Sequence, residues 1–136
     1  MMYLLDTNVI SETIKKSPNK KVLDWLDSID STKCSLSVIT LGEIRKGVEK
    51  IDDQSKKQKI IKWLENDLLD KFYGRIINID AKVADKWGYI CSLSNIPAVD
   101  ALIAASAIVH NHKVVTRNIK DFRNLGMLEI INPWDI

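Results

Sequence analysis

Short apolar or alternating runs recur along the chain, separated by longer segments in which apolar residues return every three or four positions. The short runs predict buried strands, and the longer segments predict helices with one apolar face. Residues typical of turns and helix caps lie between them. The predicted strands are Met2–Leu5, Lys33–Val38, Arg75–Ile79, Lys113–Thr116 and Leu128–Ile131.

The predicted helices lie between these strands, and the one that begins at Pro97 is apolar on all sides. Such a helix is expected at the centre of the fold, covered by its neighbours. Alternation of strands with helices predicts an α/β fold in which both faces of a mostly parallel sheet are covered. The predicted helices are Val9–Lys15, Lys20–Ile29, Ile39–Ile51, Ser55–Phe72, Ala81–Ser94 and Pro97–His110, with a short helical turn through Phe122.

Composition is that of a soluble globular protein, with 46% hydrophobic and 28% charged residues among 136. This length predicts a single domain over residues 1–136. The net charge of +2 does not by itself indicate a polyanionic partner, although clustered lysines allow a basic face. No apolar segment is long enough for a membrane span, and no signal peptide is recognisable. Cys34 and Cys91 lie in apolar patterns, which predicts buried reduced thiols and a cytoplasmic location.

Two acidic residues in the first half of the chain stand out by position. Asp6 directly follows the first predicted strand, and open α/β sheets place their chemistry at the carboxyl ends of strands. Asp is also a common helix N-cap, so both interpretations stay open for Asp6. Glu43 flanks the apolar stripe of its helix, and Gly47 one turn later predicts close packing beside it. A solvated surface glutamate is the alternative.

Two further acidic residues follow in the second half. Asp100 lies in the first turn of the most apolar helix. The helix dipole contributes on the order of 0.5 kcal/mol there, less than the several kcal/mol needed to bury an unpaired carboxylate. Asp100 must therefore reach water or a cation. Asp121 follows the fourth predicted strand, where a surface turn is the alternative.

Convergence of these four carboxylates would create repulsion that a cation offsets. Oxygen ligands suit Mg²⁺ or Mn²⁺ rather than zinc. Such an ion polarises a phosphodiester and lowers the pKa of a water molecule for in-line attack. Three polar residues could orient ligands from the second coordination shell, namely Thr7, Thr116 and Asn118.

Four sequence motifs resemble, in order, those of PIN-domain ribonucleases, and among these the VapC-type toxins of bacterial toxin–antitoxin pairs. They are Leu-Leu-Asp-Thr-Asn-Val-Ile-Ser, Ser-Val-Ile-Thr-Leu-Gly-Glu-Ile-Arg-Lys-Gly, Pro-Ala-Val-Asp-Ala-Leu-Ile-Ala-Ala-Ser-Ala and Val-Val-Thr-Arg-Asn-Ile-Lys-Asp-Phe. The ending Ile-Asn-Pro-Trp is also similar, so the likeness runs from Met2 to Trp134. Each motif alone is weak, whereas four in order are specific.

The resemblance implies a three-layer α/β/α fold with a mostly parallel sheet of four to five short strands. It also implies a Mg²⁺-dependent endoribonuclease, with Mn²⁺ as an alternative ion, that acts as a toxin, forms a homodimer and binds a cognate antitoxin in a hetero-oligomer. The carboxylates that would bind the metal and catalyse RNA cleavage are Asp6, Glu43, Asp100 and Asp121. The supporting positions are Thr7, Thr116 and Asn118.

Substrate contacts and two alternative functions complete the expectations. Basic residues near the motif acids in sequence are candidates for contact with the RNA backbone. They are Arg45, Lys46, Arg117 and Lys120. One alternative is a catalytically silent PIN-like module that binds protein or RNA. The other is a phosphatase of the haloacid dehalogenase type, which expects a second Asp where Asn8 stands.

Overall fold

Five short parallel strands form the central sheet of the protein, which is described for all residues, Met1–Ile136, by a computed structural model. The strand order is β3-β2-β1-β4-β5. The strands are β1 Tyr3–Leu5, β2 Cys34–Ser37, β3 Ile76–Ile77, β4 Lys113–Val115 and β5 Ile130–Ile131. All five predicted strands are therefore confirmed, and the parallel sheet agrees with the predicted fold class. The predicted bounds of β3 and β5 were too wide, because only two residues of each join the ladder.

Helices cover both faces of this sheet. They are α1 Thr7–Thr13, α2 Lys20–Ser28, α3 Val38–Val48, α4 Gln54–Lys62, α5 Leu68–Lys71, α6 Ala81–Leu93, α7 Ala98–His110 and α8 Ile119–Phe122. A π-helical segment, Trp63–Asp67, joins α4 to α5, so the single predicted helix over Ser55–Phe72 is interrupted there. The first helix starts two residues before the predicted Val9, because Asp6 caps it. None of these helices has the length and apolarity needed to cross a bilayer.

Two separate apolar cores, one on each face of the sheet, give the three-layer arrangement. Leu4 of β1 packs with residues of α6, α7 and α8, whereas the next residue, Leu5, packs with residues of α1 to α5. Successive side chains of a strand point to opposite faces, which is why both leucines are buried. The small side chains of α7, among them Ala101, Ala104 and Ala105, are fully buried as predicted.

The order of the strands reverses between β1 and β4. After β1, the chain adds β2 and β3 on one side, and then returns to the other side to form β4 and β5. Open α/β sheets bind ligands outside the carboxyl ends of strands at such a switch point. Leu5 pairs with Val115, and the backbone N–H of Asp6 donates to the Val115 carbonyl at 2.9 Å. Asp6 and Thr116 therefore follow their strands side by side.

Two local predictions are wrong. Cys91 is exposed, because it lies one helical step beyond the buried Ile90 and turns towards solvent; only Cys34 is buried. Both thiols are free. Gly47 is exposed and has no atom within 4 Å of the position that a Cβ would take. No close packing beside Glu43 explains this glycine.

Candidate active site

Asp6 is both the N-cap of α1 and a buried carboxylate at the switch point. Its Oδ1 accepts a hydrogen bond from the Thr7 backbone N–H at 2.8 Å, and the residue is only 5% exposed. The pKa of Asp6 is raised above its ordinary value, mainly because the carboxyl group is buried and also because the Glu43 carboxylate is near. Hydrogen bonds from Thr116 and from the Thr7 backbone act in the opposite direction. The two interpretations of Asp6 are thus compatible, since the cap uses one oxygen and the other faces β4.

Thr116 links the ends of β1 and β4 through its hydroxyl group. The hydroxyl donates its single proton to Asp6 Oδ2 at 2.8 Å. It accepts from the Asn118 backbone N–H at 3.0 Å and from Asn8 Nδ2 at 3.3 Å. One donor and two acceptor sites are all that a hydroxyl offers, so Thr116 is fully satisfied. This network fixes the orientation of Asp6.

Glu43 lies on α3, and its side chain contacts the first turn of α1 next to Asp6. Its Oε1 accepts a hydrogen bond from the Thr7 hydroxyl at 2.6 Å. The Thr40 hydroxyl lies 3.1 Å from that of Thr7 and is fully buried. Since the carboxylate can only accept, Thr7 donates to Glu43 and Thr40 completes the chain as the donor to Thr7. Glu43 is half-buried, unlike a solvated surface glutamate.

Asp100 and Asp121 complete the acidic group from α7 and α8. Burial, a hydrogen bond with Asp121 and the charges of Asp6, Asp121 and Glu43 raise the pKa of Asp100 to about 7. Asn118 Nδ2 donates a short hydrogen bond to Asp121 Oδ2. The structure thus brings the other three predicted carboxylates within electrostatic reach of Asp100, and their repulsion raises its pKa after burial and the hydrogen bond with Asp121.

The chemistry of this group fits a hard divalent cation. All four side chains offer oxygen, and a cation would relieve the repulsion that raises the pKa of Asp100. In their present positions, however, no three acidic, histidine or cysteine side chains are grouped closely enough to hold an ion. Asp6 and Glu43 are engaged with Thr116 and Thr7 instead. Mg²⁺ commonly binds through one or two carboxylates and several water molecules, so a closed cage of protein ligands is not needed.

The predicted basic residues are spread around the acids rather than gathered with them. Arg45 lies 3.6 Å from Glu49 and 3.5 Å from Glu65, and Lys46 is exposed on the same helix. The Arg117 guanidinium stacks over the Trp134 ring, 5.2 Å from its centroid. The last of the four, Lys120, lines a surface cavity of about 500 Å³ together with Asp121.

Sequence reasoning missed two residues of this network, Asn8 and Thr40. Asn8 bonds Asp6 at 3.4 Å and Thr116 at 3.3 Å, and its Oδ1 accepts from the Arg117 backbone N–H at 3.3 Å. Thr40 precedes Glu43 by three residues on α3, a spacing that places both on one helix face. That spacing was visible in the sequence, whereas the contacts of Asn8 depend on how β1 pairs with β4.

Comparison with known proteins agrees with this fold. The PIN domain family matches residues 3–127. Toxin FitB of Neisseria gonorrhoeae is 39% identical over 138 residues, which cover 98% of this chain and 99% of that protein. VapC ribonuclease Y4jK of Sinorhizobium fredii is 33% identical over 139 residues, with 98% and 99% covered.

A solved structure of a relative has the same fold. The crystal structure of FitAcB from Neisseria gonorrhoeae superimposes with a TM-score of 0.92 at 38% identity, covering 99% of this chain and 100% of that one. The family match spans most of the chain, and the relatives are similar over nearly their whole lengths. The family that matches is the PIN domain, not the haloacid dehalogenase family of the phosphatase alternative. The chain belongs to the PIN domain family.

Proposed function

We propose that this chain is a metal-dependent endoribonuclease that acts as the toxin of a toxin–antitoxin pair. The observation that carries the proposal is the convergence of Asp6, Glu43, Asp100 and Asp121 at the switch point of the sheet. The relatives named toxin FitB and VapC ribonuclease support both the nuclease activity and the toxin role. The whole of residues 1–136 is proposed to act as one nuclease domain.

The proposed cofactor is Mg²⁺, with Mn²⁺ as an alternative, held by the same four carboxylates. When bound, such an ion stabilises charge on the phosphate group and lowers the pKa of a water molecule for attack on phosphorus. The chain contributes the orientation of the carboxylates: Thr116 holds Asp6, and Thr7 holds Glu43. Asn118 holds Asp121 by a hydrogen bond from its side-chain amide. Arg45, Lys46, Arg117 and Lys120 remain the proposed contacts to the RNA backbone.

The proposed partners are RNA, a cognate antitoxin and a second copy of the chain. Homodimer formation has support in exposed apolar side chains next to the acidic site, since Leu93 and Met127 line the cavity that also contains Asp121. Exposed apolar groups gathered on one surface commonly mark an interface. Light scattering on the purified chain measures its mass directly. The free thiols of both cysteines support a cytoplasmic location.

The function is tested by incubating the purified, partner-free chain with total RNA in Mg²⁺, in Mn²⁺ and in EDTA. We expect internal cleavage with either ion and none in EDTA. We also expect Mg²⁺ to raise the melting temperature, because it binds only the folded state. RNA binding without cleavage in either ion, and without a change in melting temperature, would instead favour the silent binding module.

Thr116→Val tests the positioning of Asp6. The substitution keeps the shape of the side chain but removes the hydroxyl that donates to Asp6 Oδ2 at 2.8 Å. Loss of a residue that orients a metal ligand costs about 10- to 100-fold in activity. Loss of the shorter of the two side-chain hydrogen bonds to Asp6 Oδ2 costs about 1.5–3 kcal/mol of unfolding free energy. Cleavage rates and urea unfolding measure the two effects. Thr116→Ser retains the hydroxyl and should restore both; equal losses in the two variants would contradict this role.

A further inference from the structure

A basic cleft lies between the end of α1 and the helix α4, outside the acidic site. Four lysines line it, two from the segment that follows α1 and two from α4, and the cavity has a volume of about 650 Å³. No acidic side chain is among the lining residues. We define the basic cleft by its lysines, which are Lys15, Lys16, Lys56 and Lys59.

Three of the four lysines of the basic cleft lack an anionic partner; other unpaired lysines lie elsewhere on the surface, but those of the cleft surround one cavity. Lys15 pairs with the buried Glu12 at 2.9 Å, whereas Lys16, Lys56 and Lys59 make no ion pair. Outside the cleft, for comparison, Lys20, Lys57 and Lys113 each lie within 3.4 Å of a carboxylate. Several unpaired positive charges around one concavity produce a local field that attracts polyanions.

The floor of the basic cleft is apolar. Three isoleucines line it: Ile14 directly follows α1, Ile51 lies in the loop between α3 and α4, and Ile60 belongs to α4. Each is half-buried. Single-stranded RNA carries phosphates along one edge and flat, largely apolar base faces along the other. A lysine rim over an isoleucine floor complements both sides of such a strand.

The basic cleft and the acidic site both include residues of α1. Thr7, in the first turn of α1, holds Glu43, and Ser11 lines the cleft four residues later. At 1.5 Å per residue, Ser11 lies about 6 Å along the helix axis from Thr7. This distance corresponds to about two stacked nucleotides at 3.4 Å each. A strand that has its reacting phosphate at the acids thus reaches the cleft within a few nucleotides.

We propose that the basic cleft binds the phosphates of the single-stranded RNA substrate a few nucleotides away from the bond that is cleaved. The inference rests on the proposed nuclease function and identifies where the substrate lies. The four carboxylates repel the phosphates of the RNA backbone. The lysines of the basic cleft attract phosphates nearby and so offset this repulsion. Contacts to phosphates position a strand without reading its sequence.

The test replaces the three unpaired lysines together, as Lys16→Gln, Lys56→Gln and Lys59→Gln, and leaves Lys15 with Glu12. The matched control replaces three lysines that are exposed, unpaired and outside the cleft, so that net charge falls equally: Lys21→Gln, Lys33→Gln and Lys82→Gln. The measurement is fluorescence anisotropy of a labelled 20-nucleotide single-stranded RNA in EDTA, over a series of salt concentrations. A cleavage assay in Mg²⁺ accompanies it.

We expect the cleft variant to bind the RNA about 10- to 100-fold more weakly than wild type at 0.1 M salt. The slope of log affinity against log salt should fall by about 2, since each lost phosphate contact contributes about 0.7. KM for cleavage should rise while kcat stays unchanged. The control variant should change the affinity by less than about threefold, because scattered charges act only through the general field.

Three outcomes would overturn the proposal. They are equal weakening in both variants, no weakening in the cleft variant, and no RNA binding by wild type at low salt. A polyglutamate peptide is the competing probe: a cleft variant that keeps RNA affinity but loses peptide affinity would assign the cleft to an acidic protein partner. Cleft-dependent binding by a wild type that never cleaves would refute the nuclease and leave the cleft as an RNA site.

Discussion

Asp100→Asn is expected to lower RNA cleavage by at least about 10³-fold and to leave the protein folded. Losses of this size follow removal of a single charged or hydrogen-bonding group at a reacting centre. The new side chain has the same shape, but it lacks the charge that would bind the cation together with Asp6, Glu43 and Asp121. Cleavage of total RNA in Mg²⁺ and circular dichroism of the same samples measure activity and folding separately.

The same substitution should stabilise the protein in EDTA, most clearly above pH 7. Burial and the neighbouring carboxylates raise the pKa of Asp100 to about 7. Because the folded-state pKa is above the unfolded one, ionisation of Asp100 opposes folding, and wild type loses this part of its stability as the pH rises from about 4 to 7. Asn cannot ionise. The gain in melting temperature of Asp100→Asn over wild type should therefore be larger at pH 8 than at pH 5.

A matched control is Asp85→Asn, which removes an exposed carboxylate from α6 without touching the site. It should retain wild-type cleavage and show no pH-dependent gain in melting temperature. Full cleavage by Asp100→Asn in Mg²⁺ would contradict the assignment of this residue. A folded but inactive wild type would instead contradict the nuclease itself, so the two failures are separable.

Asp6→Asn distinguishes the two roles of Asp6. Asn is as good an N-cap as Asp, so the variant should keep α1 and the fold. It loses the negative charge on the oxygen that faces Thr116, and cleavage should fall as far as in Asp100→Asn. Wild-type activity in Asp6→Asn would show that the residue acts only as a cap.

The sequence predicts best those parts of the fold that depend on local apolar pattern. The strands β1 and β4 are continuous apolar runs, and α7 is apolar on all sides, so their burial follows directly from composition. The strand order β3-β2-β1-β4-β5 was not predicted, because β4 pairs with β1 rather than with the preceding β3 and no local pattern contains that pairing. Convergence of Asp6 with Asp100 was implied by the resemblance to PIN-domain ribonucleases, because the spacing of the two residues along the chain does not establish it.

The failures have physical causes that a local pattern does not contain. Cys91 shares an apolar stretch with Ile90, but burial depends on which side of α6 meets α7, and a step of about 100° separates the two residues. The π-helical segment begins at Trp63 within a regular apolar stripe, so periodicity predicts an unbroken α-helix there. The hydrogen bonds of Asn8 require the register between β1 and β4, which only the folded sheet defines.

Asp121 depends on tertiary structure more than the other three acids, because α8 is only four residues long. Helices of this length are not stable alone, so packing must hold it. Phe122, the next residue, is fully buried in the core that includes Leu4 of β1 and Ala101 of α7. This aromatic side chain anchors the turn that carries Asp121 and, through it, the hydrogen bond from Asn118.

Phe122→Ala is therefore expected to lower the unfolding free energy by about 3–5 kcal/mol, the usual cost of a buried Phe-to-Ala truncation. Cleavage by the fraction that stays folded should fall by at least about tenfold, because α8 loses its anchor and Asp121 its position. Urea unfolding measures the first effect, and cleavage at 15 °C, normalised to folded protein, measures the second.

Ile90→Ala provides the control, since Ile90 is fully buried in the same core but lies on α6 and carries no site residue. It should lose about 2–5 kcal/mol and retain the cleavage rate of wild type per folded molecule. Equal losses of activity in both variants would mean that general destabilisation, not the position of α8, limits cleavage. Full activity in folded Phe122→Ala would mean that Asp121 acts without the anchor, or that cleavage does not need it. In this fold the burial of Phe122 contributes both to stability and to the position of the Asp121 carboxylate. Comparing the two variants separates these two contributions.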